Sequence, residues 1–262
     1  MYEMSPFTVV FFLAFVAVAS AASIIPNDTE TPFEGWEGRI VGGSTASDGQ
    51  FPHQASLQSN ANEHFCGAFI INTRWVGSVA HCTFGRTAAN TRVLVGSNSR
   101  TTGGLLFQAS AIRNHELYNR ITLANDISTV QTSGTMSQTN TVMPIPLGSA
   151  YVGAVSAQVS GWGRTSYFGS VPTNLQFLNT QTLTNADCRA RHTILNALLV
   201  RDSNICTFTR SGEGTCMGDS GGPLISGGTV VGAVSWGIAC AQGRPDVYAR
   251  ISSFRTWLID NS

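Results

Sequence analysis

Short runs of apolar and β-branched residues, separated by glycine-rich turns, make up most of this chain of 262 residues. Glycine occurs 27 times, and charged residues make up only 11% of the sequence. Such runs between turn signals are typical of antiparallel β-sheet rather than of helix. The 42% of hydrophobic residues can fill a large core, arranged as one large β unit or as two linked barrels.

The chain has six cysteines, at positions 66, 82, 188, 206, 216 and 240. An even number of cysteines favours disulfides, although the count does not determine which cysteines pair. A metal site is the alternative, but no Cys-x-x-Cys pair or histidine cluster accompanies these residues. Disulfides require an oxidising compartment, and we therefore expect a secreted, extracellular protein.

The amino-terminal region resembles a targeting signal. Residues 7–18 form an apolar stretch that is too short to span a bilayer, and small residues follow at 19–22. We interpret residues 1–21 as a signal peptide, cleaved after Ala21 or Ala22. Because the start carries no Lys or Arg, an uncleaved anchor is the alternative.

The next segment, residues 22–39, is acidic, contains Pro26 and Pro32, and ends at Arg39. This composition predicts an exposed propeptide rather than a domain. Since the segment has no cysteine, a disulfide cannot hold it to the rest of the chain after cleavage.

The run Gly218-Asp219-Ser220-Gly221-Gly222-Pro223 gives one serine the surroundings of a nucleophile. A serine hydroxyl is a weak nucleophile near neutral pH, and it needs an adjacent base and anion-stabilising donors. The glycines permit a tight turn that directs the N–H groups of Gly218 and Ser220 at one point, where an oxyanion would form. Alone, such a run is more often an ordinary turn.

Two upstream segments supply the other groups that acyl transfer needs. His81 lies in Val79-Ala80-His81-Cys82, and Asp126 lies in Asn125-Asp126-Ile127. His81 would take the proton of Ser220 and pass it to the leaving amine, while Asp126 would hold the histidine tautomer and stabilise the imidazolium. We therefore predict His81, Asp126 and Ser220 as catalytic residues and Gly218 and Ser220 as the oxyanion hole.

Three further motifs accompany Val79–Cys82, Asn125–Ile127 and Gly218–Pro223: Ile40-Val41-Gly42-Gly43, Gly161-Trp162-Gly163 and Ser235-Trp236-Gly237. With these six motifs, the chain from Ile40 to Ser262 resembles the trypsin/chymotrypsin family of serine proteases, and it looks closest to insect and crustacean chymotrypsin-like or broad-specificity, collagenase-type enzymes. The resemblance implies an all-β fold of two six-stranded antiparallel β-barrels with a carboxyl-terminal helix and the active site in the inter-barrel cleft. We expect the protease domain at 40–262, with barrels at about 40–145 and 146–250 and the helix at about 253–261.

The resemblance also implies an activation junction at Arg39–Ile40. Cleavage there would free the α-amino group of Ile40, which would pair with Asp219 beside Ser220 and order the oxyanion loop. The chain would then be a zymogen, activated by a trypsin-like protease or by its own mature form. The implied disulfides are Cys66–Cys82, Cys188–Cys206 and Cys216–Cys240.

By the same resemblance, Ser235, Trp236 and Gly237 form the strand that binds the substrate backbone. The floor of the specificity pocket, S1, falls on Gly214 beside Thr215, where trypsin-like members have Asp. A pocket without that Asp favours Phe, Tyr or Leu as the residue before the scissile bond, P1.

Asp246 departs from the family pattern, since glycine usually stands at this position on the pocket wall. A carboxylate buried there without a partner would be costly. We therefore expect Asp246 to be solvated, bonded to a neighbour such as Thr215, protonated, or held ready for a substrate cation. Our hypothesis is that the pocket accepts large apolar P1 residues and, more weakly, Arg or Lys. The alternative is that Asp246 turns away and never meets substrate.

The sequence predicts no cofactor and no metal. Calcium-binding members of the family have a carboxylate-rich loop in the first barrel, and no Asp or Glu occurs here from Phe65 through His115. The other histidines are expected to be surface or structural residues: His53, His64, His115 and His192.

A secreted digestive endopeptidase is the leading functional hypothesis, with protein substrates, proteinaceous inhibitors and a monomeric state. An extracellular cascade protease is less favoured, because the short, cysteine-free prosegment has no room for an added module. A catalytically inactive homologue that acts as a binding protein is also less favoured, because all three triad residues are present. Residues 40–262 carry 14 Arg and 10 acidic residues, a formal balance of +4 that is too weak and unclustered to argue for nucleic acid or membrane as partner.

Overall fold

The structure is a computed structural model that describes residues 40–150, 153–238 and 240–262. The predicted signal peptide (1–21) and propeptide (22–39) lie outside the described residues. The strands are β1 (Ser44–Thr45), β2 (Gln54–Gln58), β3 (His64–Ile70), β4 (Trp75–Ser78), β5 (Arg92–Val95), β6 (Leu105–Asn114), β7 (Ser128–Thr132), β8 (Ser156–Gly161), β9 (Gln176–Leu183), β10 (Asn204–Thr207), β11 (Pro223–Ser226), β12 (Thr229–Trp236) and β13 (Asp246–Arg250). The helices are α1 (Ala80–Thr83), α2 (Asn185–Arg191), α3 (Ile194–Ala197) and α4 (Ile251–Asp260).

Six antiparallel strands close the first barrel in the order β2-β3-β4-β7-β6-β5. Strands β2 and β5 complete the ring, with Ala55 opposite Val95 and Leu57 opposite Val93. These four side chains are almost completely buried. Closure leaves no free strand edge, and the inward side chains fill the interior.

The second barrel closes through β8-β9-β10-β13-β12-β11, with β11 pairing back to β8. The two six-stranded barrels of the prediction are therefore confirmed. One strand departs from the expected division near residue 145: β1 pairs with β9 of the second barrel, with Ser44 opposite Phe177. The physical reason is that Ile40, just before β1, is completely buried in the second-barrel core.

The predicted carboxyl-terminal helix is α4, which begins at Ile251, two residues before the expected start. Its buried side chains are Ile251, Phe254 and Leu258, spaced so that they share one helix face. They join the same hydrophobic cluster as the first-barrel core. Among the described helices, none combines the length and the apolar character needed to cross a membrane.

Direct hydrogen bonds join the two barrels around the cleft. The N–H of Gly67, on β3, donates to the carbonyl of Ser220 at 2.7 Å. The Ser160 hydroxyl donates to Gln54 Oε1 at 2.6 Å, and the indole N–H of Trp162 donates to the carbonyl of Asn98 at 2.8 Å. These bonds fix the Ser220 loop of one barrel against the wall of the other.

Candidate active site

The histidine of the site lies on α1, a single helical turn that follows β4. The disulfide Cys66–Cys82 ties this turn to β3, with 6.3 Å between the two Cα atoms. The other disulfides are Cys188–Cys206 and Cys216–Cys240, so all three predicted pairs are confirmed. The sulfurs of Cys66 and Cys82 lie close to the His81 ring, but each is bonded to the other and neither is a free thiolate.

Asp126 makes three hydrogen bonds, and two of them hold His81 in place. Oδ1 accepts the backbone N–H of His81 at 2.8 Å, and Oδ2 lies 2.7 Å from Nδ1 of the same residue. Oδ2 also accepts the hydroxyl of Ser235 at 2.6 Å. Because an ionised carboxylate only accepts, the ring carries its proton on Nδ1, which leaves Nε2 available as a base.

The Ser220 loop connects β10 with β11, and glycine makes its approach to β3 possible. Gly221 has φ of 79°, in the left-handed region. A side chain at Gly221 would overlap the Gly67 carbonyl and the Ser78 hydroxyl. The loop can therefore lie against β3, the strand that the disulfide joins to the His81 turn, only with glycine at this position.

The N–H of Ser220 points away from the hydrogen bond that closes its own turn. The carbonyl of Asp219 accepts the N–H of Gly222 at 2.9 Å. In a trans peptide the C=O and the following N–H point in opposite directions, so the Ser220 N–H is directed to the other side. Gly218 has φ of 104°, and a Cβ there would lie 3.1 Å from Gly163 Cα.

His64 supports this loop, a role that no sequence motif indicated. Its Nε2 lies 2.9 Å from the carbonyl of Gly218, and its Nδ1 lies 2.8 Å from the Ser56 hydroxyl. Since a carbonyl only accepts, Nε2 carries the proton and Ser56 donates to Nδ1. Burial lowers the pKa of His64 to about 4, so the ring stays neutral at physiological pH. Only the fold brings His64 to Gly218.

Asp219 is completely buried beside this loop. Its Oδ1 accepts the N–H of Gly163 at 2.8 Å, and its Oδ2 accepts the N–H of Cys216 at 2.9 Å. Burial raises the pKa of Asp219 to about 7, against the lowering effect of these two bonds. Ile40 is completely buried in the core of the same barrel with φ of 35°, a strained conformation for a β-branched residue.

A cavity of about 150 Å³ lies next to Ser220 and is lined by most of the predicted S1 residues. Asp246 lies behind its wall, where Oδ2 accepts the N–H of Thr215 at 2.7 Å. A Cβ at Gly237 would lie 2.9 Å from Oδ1, and one at Gly214 would lie 2.8 Å from Oδ2. The lining residues are Thr215, Cys216, Met217, Ser220, Val234, Ser235, Trp236 and Gly237.

Asp246 is therefore bonded to Thr215, which was one of the states expected from the sequence. Burial raises the pKa of this carboxyl to about 7, and the Thr215 hydrogen bonds oppose that rise. Gly214 and Gly237 are the two residues that leave room for the carboxylate. Of the predicted site residues, only Arg39 lies outside the described part of the chain.

Two closed antiparallel barrels, with a histidine–aspartate pair and a glycine-bounded serine where they meet, are the arrangement of a class of serine proteases. Comparison with known proteins agrees with this class. The family model named Trypsin matches residues 40–258. The chain therefore belongs to the trypsin family of serine proteases.

Curated relatives come from flies. Trypsin delta of Drosophila melanogaster is 38% identical over 255 residues, covering 95% of this chain and all of the relative. Trypsin alpha-4 of Lucilia cuprina is 38% identical over 225 residues, covering 85% of this chain and 87% of the relative. Trypsin beta of Drosophila erecta is 36% identical, with 95% and 100% covered.

Proposed function

We propose that the chain is the secreted zymogen of a serine endopeptidase that hydrolyses peptide bonds through an acyl-enzyme. The observation that carries this proposal is the bonding of Asp126, which holds His81 by its backbone N–H and by Nδ1 and leaves Nε2 as the base. The triad would be His81, Asp126 and Ser220.

In the first half of the reaction, Ser220 Oγ attacks the substrate carbonyl carbon while His81 Nε2 takes the hydroxyl proton. The N–H groups of Gly218 and Ser220 stabilise the oxyanion, and the neutral His64 donates to the Gly218 carbonyl of the same loop. Collapse breaks the C–N bond, and the His81 imidazolium protonates the leaving amine. A water molecule, deprotonated by His81, then hydrolyses the ester and restores Ser220.

Activation would follow cleavage of the Arg39–Ile40 bond. Asp219 is buried with two backbone N–H donors, which leaves its negative charge only partly compensated. A new α-amino cation at Ile40 would complete this compensation, since Ile40 is already buried in the same barrel. Cleavage would also free Ile40 from the constraint behind its positive φ.

For P1, we propose large apolar residues with additional acceptance of Arg and Lys. Gly214 leaves the pocket floor without a carboxylate, which favours apolar side chains. The Asp246 carboxylate directly behind Thr215 and Gly237 supports acceptance of a cation. The relatives named trypsin also support cleavage after basic residues. The family supports a digestive role, and the three disulfides support secretion.

The test is kcat/KM on peptides that differ only at P1 (Phe, Tyr, Leu, Arg, Lys, Ala), after cleavage at Arg39. We expect strong turnover of the large apolar peptides, weaker turnover of the basic peptides, and none with the Ser220→Ala variant. Turnover of apolar peptides alone would assign no substrate role to Asp246. No turnover, with the Ile40 terminus confirmed, would favour an inactive binding homologue.

Self-activation is a separate question, because a pocket that accepts Arg would fit the Arg39–Ile40 junction. Uncleaved Ser220→Ala chain mixed with mature enzyme should yield an Ile40 terminus if the enzyme activates itself. An intact chain after this incubation would indicate a separate trypsin-like activator.

A further inference from the structure

Arg100 lies between β5 and β6 of the first barrel, and its side chain reaches the second barrel. Its Nε donates to the carbonyl of Pro172 at 2.9 Å, and its Nη2 donates to that of Val171 at 3.4 Å. Its backbone N–H donates to the carbonyl of Thr173 at 3.0 Å. Three donors of one half-buried residue therefore hold the end of residues 164–173, which we call the linking segment.

The linking segment leads back to the peptide that carries one of the two proposed oxyanion donors. Arg164 Nη1 donates to the carbonyl of Gly169 at 3.1 Å, within the segment. The backbone N–H of Arg164 donates to the carbonyl of Met217 at 2.8 Å. In a trans peptide the C=O and the following N–H point in opposite directions, so this bond directs the Gly218 N–H away from Arg164. The linking segment thus orients that N–H.

The carbonyl of Gly218 is held from the first barrel by a chain of hydrogen bonds that also ends at Arg100. His64 donates to this carbonyl, and Ser56 donates to His64. The buried Gln58 donates through Nε2 to Ser56 Oγ at 3.3 Å and to the carbonyl of Arg100 at 2.8 Å. Burial is the main reason that the pKa of His64 is lowered, and the charge of Arg100 adds to it. Both sides of Gly218 are therefore connected to one residue of the first barrel.

We propose that Arg100 is a positioning residue for the oxyanion hole. Its guanidinium holds the linking segment, and its carbonyl anchors the chain of hydrogen bonds that ends on Gly218. Glycine has no side chain to restrict its rotation, so Gly218, at φ of 104°, depends on its neighbours for a fixed orientation. This inference rests on the proposed endopeptidase function and adds to it a residue that acts through other residues.

Arg100→Gln in the cleaved enzyme tests the role of the guanidinium. Because a displaced N–H stabilises the oxyanion less, kcat on a short peptide with P1 Phe should fall about tenfold, with KM changed less than about twofold. A trifluoromethyl ketone with P1 Phe, whose adduct with Ser220 carries an oxyanion, should lose affinity by a similar factor. Indole, which would fill only the specificity pocket, should bind both enzymes equally. Gln58→Met, which breaks the other connection, should give the same pattern with a smaller loss.

Arg92→Gln is the matched control, because Arg92 lies on β5 of the same barrel and donates to Asn62 Oδ1 at 2.7 Å, outside both connections. It should keep the wild-type kcat and the wild-type affinity for the ketone. Unchanged kcat in Arg100→Gln would overturn the inference, and so would equal losses of ketone and indole binding, which indicate general disorder of the pocket. If Arg100→Gln does not fold, unchanged kcat in Gln58→Met overturns it. Inactive wild type on the same peptide would instead show that the proposed function is wrong.

Discussion

Gly214 and Asp246 compete for the same space at the base of the specificity pocket. A Cβ at Gly214 would lie 2.8 Å from Oδ2 of Asp246. That oxygen is held by the N–H of Thr215 and has little freedom to move away. A carboxylate can therefore occupy one of the two positions, but not both, without displacing its neighbours or bringing two buried negative charges together.

This competition predicts the effect of moving the carboxylate from position 246 to position 214. Gly214→Asp alone should lower kcat/KM at least about tenfold for every P1 residue, because the second buried carboxylate disorders the pocket. Combined with Asp246→Gly, the same change should recover activity and favour Arg over Phe. Steady-state kinetics on the matched peptides measure both variants. Independent, additive effects of the two changes would contradict the predicted competition.

Asp246 should also make P1 preference depend on pH. Its pKa, raised by burial to about 7, leaves the carboxyl mostly neutral below that pH and mostly ionised above it. The ratio of kcat/KM for Arg to that for Phe should therefore rise with pH through about 7. Taking this ratio cancels any pH effect on catalytic steps that the two peptides share. In the Asp246→Asn variant the ratio should stay flat, and a wild-type-like rise there would exclude Asp246 as its source.

Among the secondary-structure elements, helix α4 has a structural role beyond its own barrel. Its inner face joins the hydrophobic cluster that fills the first barrel, although the helix follows the last strand of the second. The helix is also tied to the first barrel at its end, where the Asn261 carbonyl accepts the hydroxyl of Thr129 at 2.7 Å. The helix therefore contributes to holding the barrels together.

Truncation of one inward side chain tests this role of α4. Leu258 is completely buried, and Leu258→Ala should lower the free energy of unfolding by about 3 kcal/mol through lost burial and the cavity left behind. The neighbouring Ile259→Ala, at a half-exposed position, should cost less than about 1 kcal/mol. Urea denaturation of both variants measures the difference. Equal losses would show that the inner face of α4 is not part of the core.

For the whole molecule, the buried Asp219 links cleavage to stability. Its pKa of about 7 in the folded, uncleaved chain lies above the ordinary value of 3.8, so folding strengthens proton binding. The stabilisation that results is complete below a pH of about 4 and is lost as pH rises through about 7. An α-amino cation at Ile40 would instead favour the ionised carboxyl and remove much of this loss.

Uncleaved and cleaved Ser220→Ala chains should therefore differ in their response to pH. Between about pH 5 and about pH 8, the uncleaved chain should lose more unfolding free energy than the cleaved chain, as measured by urea denaturation. Asp246 also has a raised pKa and contributes to the pH response of both chains, so the measured quantity is the difference between the two. Asp219→Asn in the uncleaved chain should reduce its pH response to the part that Asp246 contributes. An identical response of the two forms would contradict pairing of Asp219 with the new terminus.

Much of the fold and the chemistry could be predicted from the amino-acid sequence. The antiparallel β class follows from short β-branched runs between glycine turns, and the two barrels and three disulfides follow from the family motifs. The placement of β1 could not be predicted in this way, because a two-residue strand carries no periodicity. Burial of Ile40 in the second barrel determines where it pairs.

The sequence by itself determined the candidate nucleophile, base and carboxylate, because each stands in a local motif whose residue types serve the chemistry. It also raised the question of Asp246, since a carboxylate stands where glycine is usual. Only the tertiary structure decided that Asp246 bonds Thr215, that neutral His64 bonds the Gly218 carbonyl, and that Arg201 bonds the Thr122 carbonyl of the loop before Asp126. Each of these depends on burial and on hydrogen bonds between residues far apart in the chain, which no local pattern encodes.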